Sequence, residues 1–94
     1  MIVLNVTYVA KPGLREDFYD KVKAENIPEK SRAEEGNIKY EYFMSADDEN
    51  EILLIEHWKD ADAFDFHTRQ AHFKRLQEIK ADYLESADVE RYEG

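Results

Sequence analysis

The sequence predicts an α+β fold of order β-α-β-β-α-β, a four-stranded sheet with both helices on one face. Three observations carry that reading. The chain opens on Ile2 to Ala10, where one parity is almost wholly apolar. Segments with helical apolar spacing follow at Leu14, Phe18 and Val22 and again after Trp58. Between them, two short apolar runs are joined by the acidic turn Ala46 to Asn50, which makes a hairpin. Two right-handed crossovers around that central hairpin give strand order 4-1-3-2.

Taken in order, strand one places Ile2, Leu4, Val6, Tyr8 and Ala10 on one face and Val3, Asn5, Thr7 and Val9 on the other. Lys11-Pro12-Gly13 ends it. A helix near 14–34 follows, with a kink or restart expected at Pro28, because proline lacks an N–H and disfavours helix at Ile27. Gly36-Asn37 stops it. The second strand, near 37–45, puts Ile38, Tyr40, Tyr42 and Met44 on one face, and the third spans 51–58. A helical region near 60–84 has Asp60 as a cap and Thr68 as a cap for its second segment, which carries Phe73, Leu76, Ile79 or Lys80, and Tyr83. The tail supplies an edge strand near 87–92.

At 94 residues the chain is expected to be one domain, 1–94, with no room for a second core. A net charge of −9 repels phosphate backbones, and no basic stripe is visible, so neither nucleic acid nor an anionic membrane is an expected partner. The absence of cysteine removes disulfides, thiolate nucleophiles and Cys-bound metals, in keeping with a cytoplasmic location. The start of the chain reads as a strand and not as a signal peptide or membrane span.

Both parities of strands one and three carry large apolar groups: Ile2 and Leu4 against Val3 and Val9, and Ile52, Leu54 and Trp58 against Leu53 and Ile55. The helices cover one face. The cheapest cover for the other is the same face of a second copy, which predicts a homodimer enclosing a sheet-lined cavity between subunits.

Few residues carry familiar chemistry. The three glycines form no phosphate-binding loop, and the serines at 31, 45 and 86 sit in no nucleophile elbow. His67 and His72 are five apart, diverging by roughly 140° on a continuous helix, so no metal site is expected. Asn5 interrupts an apolar strand, either as an interface amide or as a donor to a substrate oxygen. Trp58 is a core residue or a pocket indole. Glu56 shares its parity and lies at the rim or is buried and held by hydrogen bonds, whereas His57 points the other way. His67 and His72 are each structural or able to exchange a proton near neutral pH.

Lys11-Pro12-Gly13, the stretch Glu34 to Tyr40, Ile55-Glu56-His57-Trp58, and His67 followed by His72-Phe73 together resemble the antibiotic biosynthesis monooxygenase domain family, from about Val3 to Leu84. The resemblance implies a ferredoxin-like chain pairing as a dimeric α+β barrel. It also implies oxygenation of polycyclic phenols or quinols by dioxygen without metal, flavin or haem. By that resemblance Asn5 orients the substrate carbonyl, Trp58 is the pocket indole and His67 the histidine after the short helix. The family's haem-degrading branch matches only in part: its tryptophan falls at His67 and its iron-ligating histidine at Gln77, a poor ligand. Lys59 to Phe73 resembles a branch that isomerises a phosphorylated sugar derivative.

The expected function is cofactor-independent monooxygenation of a small aromatic quinol or phenol, with Asn5, Trp58 and His67 as catalytic residues and no cofactor. His67 is the leading base, with water or the substrate itself as fallback and His72 left open as the base in its place, and Asn5 and the Trp58 N–H are the donors to developing negative oxygen. One alternative is an isomerase or tautomerase of a small carbonyl compound; a phosphorylated substrate would need Arg69, Lys74 and Arg75. Another is a noncatalytic ligand-binding dimer.

Overall fold

The computed structural model describes residues 1–94, and each expected helical region is two helices. The elements are β1 (Ile2–Ala10), α1 (Arg15–Ala24), α2 (Ile27–Arg32), β2 (Asn37–Met44), β3 (Glu51–Trp58), α3 (Ala61–Thr68), α4 (Ala71–Tyr83) and β4 (Leu84–Glu93). The sheet is antiparallel throughout in the order β2-β3-β1-β4, the expected order read from its other edge.

Parity in the two central strands builds the core. Ile2, Leu4, Val6 and Tyr8 of β1 and Ile52, Leu54 and Trp58 of β3 pack with Phe18, Val22, Ile27, Leu76 and Ile79 from the helices. Glu56 shares this buried face. The other face holds Val3, Asn5, Thr7 and Val9 beside Leu53, Ile55 and His57, all partly exposed because no helix covers them. No helix is long and apolar enough to cross a membrane.

The restart at Pro28 takes the form of a break. Asn26 adopts φ 58°, and Pro28 lies in the first turn of α2, where its missing N–H has no helical partner to lose. Asp60 caps α3 as expected, accepting from the Ala63 N–H at 2.8 Å. Thr68 does not cap the next segment. It is the last residue of α3, its hydroxyl donates back to the Asp65 carbonyl at 2.7 Å, and α4 starts after Gln70 without a side-chain cap.

Two strand expectations shift. Ile38 is the extra residue of a bulge: Asn37 faces Trp58 while Lys39 already faces His57, so Ile38 turns outward and is 57% exposed. The Asn37 side chain donates to the Lys39 and His57 carbonyls and holds the bulge. β4 begins at Leu84 and not near 87, because Leu84 pairs with Ala10 and packs on the core as soon as α4 ends. The hairpin between β2 and β3 lacks the usual turn dipeptide; Ser45 Oγ accepts from the Asp47 and Asp48 N–H groups, and Arg15 from α1 donates to the Ser45 and Asp48 carbonyls.

Candidate functional site

A cavity of about 230 Å³ lies between the helix-covered face of the sheet and helices α3 and α4. Its wall is mostly apolar, with Leu4, Val6, Phe64, Phe73 and Leu76, and is interrupted by Glu56, His67, Gln77 and Lys80. The volume falls below the roughly 300–1,000 Å³ of pockets for drug-sized ligands, so it suits a molecule of one or two rings.

Glu56 stands in the middle of the buried sheet face, opposite Leu4 of β1 and Tyr40 of β2. Trp58, two residues along the same strand, donates its indole N–H to Glu56 Oε1 at 3.1 Å. Burial pushes the carboxyl up to about 7, against the indole hydrogen bond and the Lys80 charge, with the Glu34 charge adding to the rise. Lys80 lies over the Tyr8 ring at 4.8 Å from its centroid, and burial lowers its ammonium below the usual lysine range. The buried Tyr40 hydroxyl, also at the cavity, has no hydrogen-bond partner.

His67 closes the far wall. Its ring packs on Trp58 with centroids 4.4 Å apart, and its side chain is 2% exposed. Nδ1 is 2.6 Å from Glu34 Oε2, and His72 Nε2 is 2.7 Å from the same oxygen. An ionised carboxylate only accepts, so both ring nitrogens donate. Burial lowers the His67 pKa, outweighing the upward pull of Glu34, and so favours the neutral ring. In that neutral form the one proton sits on Nδ1, the nitrogen that faces Glu34. Nε2 is left with a bare lone pair on the cavity side, 3.9 Å from Glu56 Oε1.

Glu34 reaches this position through Gly36. A side-chain carbon on Gly36 would stand 2.3 Å from Ala63 Cβ, so only glycine lets the turn after α2 approach α3 this closely. The Lys59 N–H to Gly36 carbonyl bond, 2.9 Å, ties that turn to the end of β3.

Two of the three expected catalytic residues meet. Trp58 and His67 are in contact, whereas Asn5 lies on the opposite face of the sheet, paired with Ile55, because five and 58 have different parities across the β1–β3 register. The cavity lined by His67 and Glu56 lies within one chain on the helix side of the sheet, whereas Asn5 faces the open side, where the space expected between two copies would form. The Trp58 N–H is already given to Glu56 and is not free for a substrate oxygen. His72 does join His67, because the chain breaks at Arg69 and Gln70 and the divergence of a continuous helix does not apply. Of the cations considered for a phosphate, Arg69 is paired with Asp65 at 2.7 Å and Arg75 with Glu25 at 2.6 Å. Gln77 does line the cavity.

The sequence alone does not single out Glu34 or Lys80 as a site residue. Lys80 carried a signal, at the helical spacing of Phe73 and Leu76 on the inward side of α4. Glu34 carried none, since its place depends on a close approach of segments far apart in the chain.

A model of the family described as antibiotic biosynthesis monooxygenase matches residues 1–79. YcnE of Bacillus subtilis, whose name marks it as a candidate monooxygenase, is 42% identical over 74 residues, which is 79% of this chain and 76% of YcnE. The crystal structure of PA3566 from Pseudomonas aeruginosa matches with a TM-score of 0.88 at 26% identity, over 99% of this chain and 92% of that one. A structure from Nitrosomonas europaea named for the same monooxygenase family gives a TM-score of 0.88 at 27% identity, over 100% of this chain and 98% of that one.

Proposed function

The chain belongs to the antibiotic biosynthesis monooxygenase family, and from that premise we propose that it is a cytoplasmic, cofactor-independent monooxygenase of a small phenol or quinol, acting in the cavity beside His67. The observation that carries this reading is the buried His67 imidazole at the cavity, whose Nδ1 is fixed by Glu34 at 2.6 Å so that Nε2 is the nitrogen left for a substrate. The apolar wall receives the ring, and Nε2 takes the phenolic proton. The buried Tyr40 hydroxyl and Lys80 face the oxygen that becomes negative, replacing the donors expected from Asn5 and Trp58. Trp58 acts through Glu56 and His67 as a positioning residue.

The phenolate then passes one electron to dioxygen, and the two radicals join at a ring carbon that bears hydrogen. The resulting peroxide takes back the proton held by His67, and the hydroperoxide so formed loses water across its O–O and C–H bonds and leaves a carbonyl. One oxygen atom enters the product, the other leaves as water, and the substrate supplies all the electrons. In this reading Asn5 belongs to the open sheet face, which pairs with that of a second copy.

The test is turnover of a naphthol-like substrate by chelator-treated protein under ¹⁸O₂, with background oxidation subtracted. One labelled atom in the quinone and none from solvent water supports the reading. Undiminished turnover without oxygen or any other electron acceptor would replace it with the isomerase. The pairing of Arg69 and Arg75 with carboxylates weighs against a phosphorylated substrate for that alternative.

A further inference from the structure

We propose that Glu34, His67 and His72 form a binding site for a divalent transition metal of the zinc type, and that its occupancy switches His67 from proton acceptor to donor at the cavity. The second half rests on the function proposed above. The first half does not.

The donor atoms are His67 Nδ1, His72 Nε2 and the Glu34 carboxylate, all within 4.8 Å of one another. Two imidazoles and a carboxylate form a donor set that zinc accepts at about 2.0–2.2 Å, leaving a position for water. Each comes from a different segment: the turn after α2, the last turn of α3 and the first turn of α4. The nitrogens lie 2.6 and 2.7 Å from one shared oxygen. Ligands around a tetrahedral ion stand roughly 3.3 Å apart, so the two nitrogen–oxygen contacts open by about 0.6–0.7 Å.

A second observation points to a ligand. Glu34 Oε1 is buried and has no hydrogen-bond partner, on a side chain only 6% exposed. Two histidine hydrogen bonds account for Oε2 and leave this oxygen without a role, at a desolvation cost that an ion would repay. The route in is a surface groove of about 610 Å³, lined by Glu34, Glu35, Asp60 and Asp62 with Lys59 as its one cation. That balance of charge attracts cations to the Glu34 side of the cluster.

A metal on Nδ1 takes the lone pair that appears when the Nδ1 proton leaves. In a neutral imidazole that proton moves to Nε2, so no proton is gained or lost by the ring. Nε2 then donates toward Glu56, and the base of the proposed reaction is gone. The metal is accordingly an inhibitor and no part of the chemistry.

The experiment titrates chelator-treated full-length protein with Co²⁺, reading the visible d–d bands, and then displaces it with Zn²⁺. One Co²⁺ per chain, with bands of low-coordinate cobalt, is expected for the wild type. His72→Gln and Glu34→Gln should bind at least roughly a hundredfold more weakly. Zn²⁺ should suppress quinol-dependent oxygen uptake by the wild type, and at the same concentration should leave His72→Gln at its own metal-free rate. Absence of the bands in the wild type, or unchanged affinity in folded His72→Gln, overturns the site. Bands in a protein that oxygenates no quinol would support the metal site while removing the proposed function. Tight binding with undisturbed oxygen uptake would overturn the switch.

Discussion

Trp58 holds Glu56 from two positions along the same strand, its indole N–H 3.1 Å from Oε1. Alternation puts the two side chains on one face, and the large ring reaches back over the intervening residue. The bond favours the ionised carboxylate and so opposes the effect of burial. Trp58→Phe keeps most of the apolar area and removes only the N–H. The Glu56 pKa, followed by carboxyl ¹³C shifts, should therefore rise above about 7. The variant should lose about 1–3 kcal/mol, chiefly above neutral pH, where the carboxylate is charged and lacks its donor.

Glu56 also makes stability depend on pH in the unusual direction. Its carboxyl is raised from 4.5 to about 7 in the folded chain, so between these values the folded state binds more protons than the unfolded one. Stability should fall as pH rises through that window, by on the order of 3 kcal/mol in the metal-free protein. His67, whose pKa is lowered, has the opposite slope, with stability growing up to its unfolded value near 6.5. Glu56→Gln keeps an acceptor for Trp58 and cannot ionise. Denaturant unfolding at pH 5 and pH 8 should show Glu56→Gln gaining on the wild type only at the higher pH.

The contact of Gly36 with Ala63 sets where α3 sits. Gly36→Ala places a methyl 2.3 Å from Ala63 Cβ, an overlap that neither backbone can absorb without moving α3. Overpacking of this kind costs about 1–3 kcal/mol. Adding Ala63→Gly removes the opposing carbon, so the double variant should recover part of the loss despite the weaker helix propensity of glycine. Simple additivity in urea midpoints would show that the two positions do not meet.

Most of this architecture is legible in the chain because it follows from local rules. Alternation from Ile2 to Ala10 marks the helix-covered face, Pro28 marks the break between α1 and α2, and Asp60 marks the start of α3. Ile38 misleads because a bulge changes parity without changing composition, and Thr68 misleads because its hydroxyl finds the Asp65 carbonyl of its own helix. The site is half legible for a similar reason. The parity shared by Glu56 and Trp58 was readable, although both parities of that strand are apolar and only the register of Ile2 with Trp58 puts Asn5 on the other face. The Glu34–His67–His72 cluster was not readable, since it joins three segments through a glycine contact that no periodicity encodes.

The open sheet face gives a prediction about assembly. Leu53 and Ile55 stand near its centre, flanked by Val9, Thr7 and Asn5 across the register. Pairing with a second copy would bury them, so sedimentation at micromolar concentration should give twice the 11.1 kDa chain mass. Each chain carries −9, and this repulsion is screened at physiological ionic strength, so moderate salt should tighten the pair or leave it unchanged. Leu53→Lys puts an unpaired charge in the contact and should yield monomer while leaving the helix-side core folded. A wild type that stays monomeric at these concentrations would remove the dimer.

The chemistry turns on which nitrogen of His67 is bare, and two substitutions separate that from packing. His67→Gln keeps an amide able to donate to Glu34 but offers no basic nitrogen to the cavity. If Nε2 takes the phenolic proton, kcat in chelator-treated protein should fall by about a hundredfold to ten-thousandfold. The pH dependence that reports the base should flatten as well. Glu34→Gln leaves the imidazole in place but supplies an amide where the ring needs an acceptor with fixed orientation, so Nδ1 no longer holds the proton securely. Its loss should be smaller than that of His67→Gln and should appear in kcat with KM little changed, because Glu34 does not line the cavity. Asn5→Ala, on the far face, should leave kcat near the wild-type value in any preparation that remains fully assembled. A kcat loss for Asn5→Ala as large as for His67→Gln, in protein shown to be dimeric, would return the site to the sheet-lined space between subunits.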